Sequence, residues 1–278
     1  MTMKRAARFI MNHHRILWLG LIGALALSCN RTTIQEPRLA EQEEVTITCE
    51  LTQPPKWSDI PVFESADDCQ AATGTYHYVL WLPEGYLADT QRRWPCMFIA
   101  DAAGHAKMGN MAVWLKTRGY VVVMLVESKN GPWPPIVGNF LAAHDDVVQR
   151  VRIQEGLKFA TGCSGGARAS SVFAQIRPGF SGLILQGAGL AYKTNGVYIV
   201  AGLRRTPPIY VAMTMGDHDK HDVEVDEMRH WIGSSHFQSF EFLGGHEWAP
   251  AETFEHAIAW VEDKVRESAQ PPSPQKIN

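Results

Sequence analysis

The sequence predicts an α/β fold, in which a mostly parallel central sheet carries helices on both faces. Residues 95–100 and 120–126 are apolar at nearly every position, which indicates strands buried on both faces and therefore a parallel sheet covered by helices. A third observation is the stretch Gly-Cys-Ser-Gly-Gly at 162–166, which follows an apolar run and precedes a helix-like pattern. With 278 residues, 45% of them hydrophobic, the chain is long enough for one such domain, which we expect over 45–268.

The elements follow in chain order from apolar runs and turn residues. We expect strands over 45–48, 76–83, 95–100, 120–126, a run ending at 163, 182–186, 208–215 and 237–242. Helices are expected over 111–117, 139–151, a segment starting after Ser164, and 252–266. The proline-rich segment 130–135 is predicted to be a rigid loop. Because the connections between strands are short, we expect no large cap domain.

The first 29 residues are predicted to be an export signal. Basic residues precede an apolar run, 16–27, that is shorter than the roughly 20 residues needed to cross a bilayer. The run ends in Ala-Leu-Ser-Cys, which resembles the lipobox of bacterial lipoproteins, so we expect a membrane anchor through lipidated Cys29. This places the protein in the cell envelope, on the periplasmic or outer-membrane side, with secretion as the alternative. Residues 30–44 are predicted to be a flexible tether and 269–278 a disordered tail.

Charge and cysteine content narrow the partners and the redox setting. The formal net charge of -3 gives no electrostatic reason to expect nucleic acid as a partner. Export permits disulfides, and a bridge between Cys49 and Cys69 is left open by the sequence. Cys96 and Cys163 fall in predicted strands and are expected to be buried thiols.

Ser164, at the centre of Gly-Cys-Ser-Gly-Gly, is the candidate nucleophile. The sharp turn between strand and helix forces a strained backbone at this serine, and Gly162 and Gly166 are needed where a Cβ would collide with a neighbouring element. The hydroxyl then projects freely, and the N–H of Gly165 is a predicted donor to an oxyanion. The second donor is predicted at Ala102, in the loop after strand 95–100.

A serine hydroxyl needs a base to take its proton, and the base needs a carboxylate that holds its tautomer. The loop after the last strand, Gly-Gly-His-Glu-Trp, supplies His246 as the predicted base. The loop after strand 208–215 supplies three carboxylates, at Asp217, Asp219 and Asp222. The residues therefore occur in the order serine, acid, histidine, which is one of the known orders for such a triad.

These motifs, Gly-Cys-Ser-Gly-Gly, Gly-Asp-His-Asp and Gly-Gly-His-Glu-Trp, make the chain resemble the α/β-hydrolase superfamily over about residues 76–266. The nearest likeness is to the secreted polyhydroxybutyrate-depolymerase-like and feruloyl-esterase-like group, whose members carry Gly-His-x-Trp at the catalytic histidine. The resemblance implies the α/β-hydrolase fold and a serine esterase that works through an acyl-enzyme without cofactor or metal. It favours Asp219 as the acid, because Gly-x-x-Asp after this strand is the spacing common in the fold.

The chain departs from that group in its predicted oxyanion loop. The group usually has His-Gly where this chain has Ala100 and Asp101. A carboxylate at Asp101 is unfavourable beside a developing negative charge unless it is paired or turned away.

Trp133 and Trp248 lie on predicted loops at the mouth of the site, where aromatic walls would suit an aryl, acyl or sugar group. Packing in the core or at the rim is the alternative for both. Without a cap, the predicted cleft is open and suggests a small-molecule or polymer-attached ester as substrate.

Three other functions stay open at this point. A serine peptidase of the same fold would use the same residues. Because Asp101 departs from the usual oxyanion loop, a catalytically inactive envelope protein that only binds a ligand is another alternative. The acidic and histidine residues at 217–222 could instead ligate a divalent metal.

Overall fold

The structure is a computed structural model that describes residues 38–219 and 222–269. The predicted signal segment 1–29 with Cys29, residues 30–37 of the predicted tether and the tail beyond 269 lie outside the described residues. None of the helices in the described ranges combines the length and hydropathy that a membrane span requires.

The described residues form eight strands and six α-helices. The strands are β1 (Glu44–Leu51), β2 (Gly74–Trp81), β3 (Trp94–Asp101), β4 (Val121–Leu125), β5 (Ile153–Cys163), β6 (Phe180–Gln186), β7 (Tyr210–Gly216) and β8 (Phe237–Phe242). The helices are α1 (Ala66–Ala71), α2 (Ala112–Thr117), α3 (Trp133–Arg150), α4 (Gly165–Ile176), α5 (Asp222–Ile232) and α6 (Ala251–Ala269). Short 3-10 turns occur at Trp57–Asp59, Gly109–Met111 and Ala201–Arg204.

All eight strands form one sheet in the order β1-β2-β4-β3-β5-β6-β7-β8. Strand β2 runs antiparallel to both of its neighbours, and the other pairings are parallel. The predicted, mostly parallel sheet is therefore confirmed. The carboxyl ends of β3 to β8 meet at one edge, which is where ligands bind in open α/β sheets.

Helices cover both faces of the sheet, as predicted. One face is packed by α3, α4 and α5, and the rings of Phe140 and Phe173 stack there with centroids 4.2 Å apart. The other face is packed by α2 and α6, where Trp114 meets Phe254 edge to face. Helix α6 buries one apolar side, which consists of Phe254, Ala257, Ile258, Val261 and Val265.

Helix α3 begins at Trp133, six residues before its predicted start at 139, so the predicted loop 130–135 is wrong in its second half. Prolines caused the error. Pro132 occupies the N-cap position, and Pro134 and Pro135 lie in the first turn. Proline is tolerated there because the first N–H groups of a helix have no intrahelical partner.

The four cysteines in the described residues are free and buried. The bridge between Cys49 and Cys69 is therefore not present in the structure, and the Sγ of Cys49 instead donates to the carbonyl of Tyr76 at 3.6 Å. Burial raises the pKa of Cys49 and of Cys163 to about 12. These thiols are buried groups of the domain, which agrees with the expectation for Cys96 and Cys163.

Candidate active site

Ser164 lies in the turn between β5 and α4 with φ +56° and ψ -121°. Its N–H donates to the carbonyl of Gln186 on the adjacent strand at 2.8 Å. A Cβ added to Gly162 would lie 2.3 Å from the carbonyl carbon of Gly166, and one added to Gly166 would lie 2.5 Å from the carbonyl oxygen of Ala100. The turn thus needs glycine at both positions, and it holds the serine in a backbone conformation that non-glycine residues rarely adopt.

Three side chains from three loops meet at the carboxyl edge of the sheet. The Nε2 atom of His246 lies 2.8 Å from Ser164 Oγ, and its Nδ1 atom lies 2.8 Å from Asp219 Oδ2. The Asp219 side chain is only 7% exposed, whereas that of His246 is 44% exposed. With its hydrogen on Nδ1, the ring donates to the carboxylate and can accept the serine proton at Nε2.

Asp217 occupies a different position from Asp219. Its Oδ1 atom accepts the N–H of Gly244 at 3.0 Å, so this carboxylate holds the loop that carries His246 rather than the ring itself. The side chain of Asp222 lies outside the described residues. Within 38–219 and 222–269, no three His, Cys, Asp or Glu side chains are grouped so that they could hold a metal ion.

Gln186, which we did not identify from the sequence, joins the serine turn to the histidine loop. It is completely buried at the end of β6. Its carbonyl accepts the N–H of Ser164 at 2.8 Å, and its Oε1 accepts the N–H of Ala249 at 3.1 Å. Its Nε2 donates to Thr161 Oγ1 at 3.0 Å. A glutamine that ends an otherwise apolar strand was the signal available in the sequence.

Asp101 is paired in the structure. Its Oδ1 accepts the N–H of Ala103 at 2.7 Å, and its Oδ2 accepts the indole N–H of Trp248 at 3.2 Å. Both carboxylate oxygens are therefore engaged by neutral donors. Trp248 is half-buried and packs against the core on the α6 face, so it lies beside the predicted oxyanion loop.

Asn130 lies between the two predicted oxyanion donors, and it was also missed from the sequence. Its N–H donates to the carbonyl of Ala102 at 2.8 Å. A Cβ added to Gly165 would lie 1.7 Å from Asn130 Oδ1, so the amide side chain packs directly on that glycine. Gly165 begins α4, and Ala102 follows β3. The structure thus brings the two residues into one neighbourhood, and their role as donors stays a prediction.

Trp133 is the first residue of α3 rather than part of a loop, which corrects its predicted setting. It lines a groove of about 490 Å³ together with Phe63 and Tyr192. The guanidinium of Arg168 lies 4.8 Å from the centre of the Tyr192 ring. Arg168, which lies one helical turn after Ser164, thus contacts one residue of the groove wall.

Among known proteins, this chain has similar structures but no match by sequence. No protein-family model matches the chain, and no curated protein matches its sequence. A ferulic acid esterase structure matches with a TM-score of 0.53 and 11% identity, over 81% of this chain and 99% of that chain. A dienelactone hydrolase-like promiscuous phosphotriesterase from metagenomic libraries matches with a TM-score of 0.52 and 11% identity, over 81% of this chain and 98% of that chain. These likenesses show the predicted α/β-hydrolase fold.

Proposed function

We propose that this protein of the α/β-hydrolase fold is an exported serine hydrolase that cleaves carboxylic esters through an acyl-enzyme. The observation that supports it is the unbroken hydrogen-bond chain from Ser164 through His246 to Asp219, with 2.8 Å at each contact. A nucleophile, a base and an orienting carboxylate in this geometry suit acyl transfer. That fold neighbours include a ferulic acid esterase agrees with an ester as the substrate.

In the proposed reaction, the Ser164 hydroxyl oxygen attacks the ester carbonyl while His246 Nε2 takes its proton. Asp219 stabilises the imidazolium that forms, because its carboxylate contacts Nδ1. The N–H groups of Gly165 and Ala102 are the proposed donors to the oxyanion. His246 then protonates the leaving alcohol. Water, activated by the same imidazole, hydrolyses the acyl-serine and regenerates the hydroxyl.

The proposed substrate is a small-molecule or polymer-attached ester. Residues 187–209, between β6 and β7, contain a short 3-10 turn and an isolated β-bridge between Tyr192 and Tyr198. The described residues therefore form no separate cap domain over Ser164. We assign Trp248, beside Asp101, and Trp133, in the groove, to the walls of the substrate cleft. We further propose that Cys29 carries a lipid that anchors the protein in the cell envelope.

The experiment is Ser164→Ala, assayed with a short p-nitrophenyl ester and with a fluorophosphonate probe. We expect turnover to fall by more than about 10⁴-fold and labelling to disappear, because the substitution removes the proposed nucleophile. Ser58→Ala is the matched control, since Ser58 is exposed and its hydroxyl donates to the exposed carboxylate of Asp59. Unchanged turnover by Ser164→Ala, or an unlabelled but folded wild type, contradicts the proposed function.

A further inference from the structure

A second cleft opens at the edge of the sheet opposite Ser164. Its volume is about 430 Å³, and it lies among the amino end of β7, the carboxyl end of α5 and residues 200–209. The buried side chains of Leu203 and Ile209 form apolar lining. Four basic residues line it as well, namely Arg204, Arg205, His230 and His236.

The positive charge of this cleft is not neutralised within the described residues. The lining contains no Asp or Glu, and neither Arg204 nor Arg205 forms an ion pair with a carboxylate in 38–219 and 222–269. Arg204 donates to the carbonyl of Trp231 at 2.5 Å, and Arg205 donates to the carbonyls of Arg177 and Phe180. A guanidinium has five N–H donors, so each arginine keeps donors for a ligand.

Two further features bear on whether an anion would bind here. Burial lowers the pKa of Arg205, which marks this cation as partly removed from water. The carbonyl end of α5 also lies at the cleft and disfavours an anion. That end carries only about half a negative charge, whereas the two guanidinium groups together carry two positive charges. The balance therefore favours an anion.

The cleft is well separated from the candidate active site. Strand β7 runs from Tyr210, next to the cleft, to Gly216, next to the loop that carries Asp219. Seven residues in a strand span about 20 Å. A ligand in the cleft is therefore not the substrate that Ser164 would attack.

We propose that this cleft binds an anionic amphiphile, with its carboxylate or phosphate group on Arg204 and Arg205 and its hydrocarbon segment on Leu203 and Ile209. Arginine matches both anions because its planar fork can donate two parallel hydrogen bonds. Burying the hydrocarbon segment adds about 25 cal/mol per Å² of apolar surface. The cleft volume is within the range of small-ligand sites, about 300 to 1,000 Å³.

The direction of β1 makes a phospholipid one source of such a ligand. Glu44, at the start of β1, pairs with Trp81, and Trp81 pairs with Val122 near the start of β4. The chain therefore enters the sheet at the same edge as the cleft, away from Ser164. Cys29, the proposed lipid anchor, precedes this entry point in the sequence, so a phospholipid of the anchoring membrane is one source of the amphiphile.

The test uses the full chain carrying Ser164→Ala, so that the ester bonds of the phospholipids are not cleaved. The result is therefore independent of the proposed hydrolysis. Calorimetric titrations use monomeric decanoate and inorganic phosphate, and sedimentation uses vesicles of phosphatidylglycerol or of phosphatidylcholine. We expect saturable binding of decanoate that Arg204→Gln weakens about tenfold, through loss of a charged hydrogen bond. Arg266→Gln is the matched control, because Arg266 is exposed and pairs with Asp263.

His230→Glu keeps the test decisive if Arg204→Gln fails to fold, since it leaves both arginines and adds a carboxylate to the lining. Sedimentation with phosphatidylglycerol but not phosphatidylcholine vesicles supports the site with a lipid headgroup as ligand. Decanoate binding without sedimentation supports it with a free amphiphile as ligand. If inorganic phosphate binds as tightly as decanoate, Leu203 and Ile209 add nothing to binding, and the proposal of an amphiphilic ligand is overturned. Absence of binding, or equal binding by wild type, Arg204→Gln and His230→Glu, overturns the proposal.

Discussion

Asp101 shows how a single carboxylate can be tolerated beside a proposed oxyanion site. Its two oxygens accept hydrogen bonds from the N–H of Ala103 and from the indole of Trp248. These hydrogen bonds fix the orientation of the Asp101 carboxylate but leave it negatively charged. The effect of Asp101 on the oxyanion therefore depends on where its carboxylate points. Trp248 is therefore a candidate positioning residue, which acts on the reaction through Asp101.

Replacing Trp248 with Phe keeps the aromatic packing and removes the donor to Asp101 Oδ2. We expect kcat to fall about tenfold with little change in KM, because the freed carboxylate can approach the charge that develops in the transition state. Adding Asp101→Asn to this variant removes the charge and should recover most of kcat. Steady-state kinetics of the single and double variants decide the matter. A double variant as slow as Trp248→Phe would mean that the indole acts through packing alone.

The two neighbouring aspartates give a matched pair of substitutions. Asp219 contacts Nδ1 of His246, whereas Asp217 accepts the N–H of Gly244 and lies 3.9 Å from His218. We expect Asp219→Asn to lower kcat/KM by about 10³ to 10⁴-fold, since an amide favours the wrong tautomer of the imidazole. Asp217→Asn should cost less than about tenfold. The reverse ranking in ester hydrolysis would identify Asp217 as the acid.

At the scale of elements, the turn between β5 and α4 depends on close backbone packing. In Gly166→Ala the new Cβ would lie 2.5 Å from the carbonyl oxygen of Ala100, and backbone cannot move aside as a flexible side chain can. We expect the free energy of unfolding to fall by about 1 to 3 kcal/mol, as in other overpacked sites. Gly245→Ala is the control, because its Cβ would meet no atom within 4 Å. Urea unfolding measures both, and equal midpoints would contradict this account.

The strands were predictable because burial on both faces leaves a simple apolar signal. The predicted bounds of β8, 237–242, are those observed, and β6 and β7 start within two residues of their predicted starts. Helices α1 and α5 were not predicted. Helix α1 has six residues and is held by a capping box between Ser65 and Asp68, so it is too short to show an apolar period. Helix α5 was missed although Val225, Met228 and Ile232 follow helical spacing.

The candidate site was predictable only where a motif follows a strand. Ser164 and His246 each have glycines around them that mark a sharp turn after a strand, and the structure brings them together with Asp219. Gln186 and Asn130 were missed because their partners lie 63 and 35 residues away along the chain, at Ala249 and Gly165. Such contacts depend on sheet order, which local patterns do not contain. The chemical roles of all these residues stay predictions until kinetics test them.

At the scale of the whole molecule, a series of hydrogen-bonded polar side chains lies within the apolar packing under α3. His144 is buried among aromatic rings, including those of Phe98 and Phe180. Its Nε2 lies 2.9 Å from Lys158 Nζ, and its Nδ1 lies 2.9 Å from Asp145 Oδ1. A protonated Lys158 can only donate, so beside it Nε2 accepts and the His144 ring is neutral. Folding therefore disfavours the protonated form of His144, which the unfolded chain can adopt without this penalty.

This arrangement predicts that acid weakens the fold through His144. Burial lowers the pKa of His144 below its usual value of 6.5, so the unfolded chain binds the extra proton and stability falls as the pH drops below about 6.5. The loss should approach about 1.4 kcal/mol for each further pH unit until His144 protonates in the folded state. Burial acts to raise the pKa of Asp145, but hydrogen bonds from His144 and Arg177 lower it to about 2, so Asp145 does not titrate between pH 5 and 7.

His144→Gln keeps an acceptor for Lys158 and cannot titrate. Urea unfolding of wild type and variant at pH 7, 6 and 5 should therefore give a smaller pH slope for the variant, and parallel slopes would show that His144 is not the group that acid attacks.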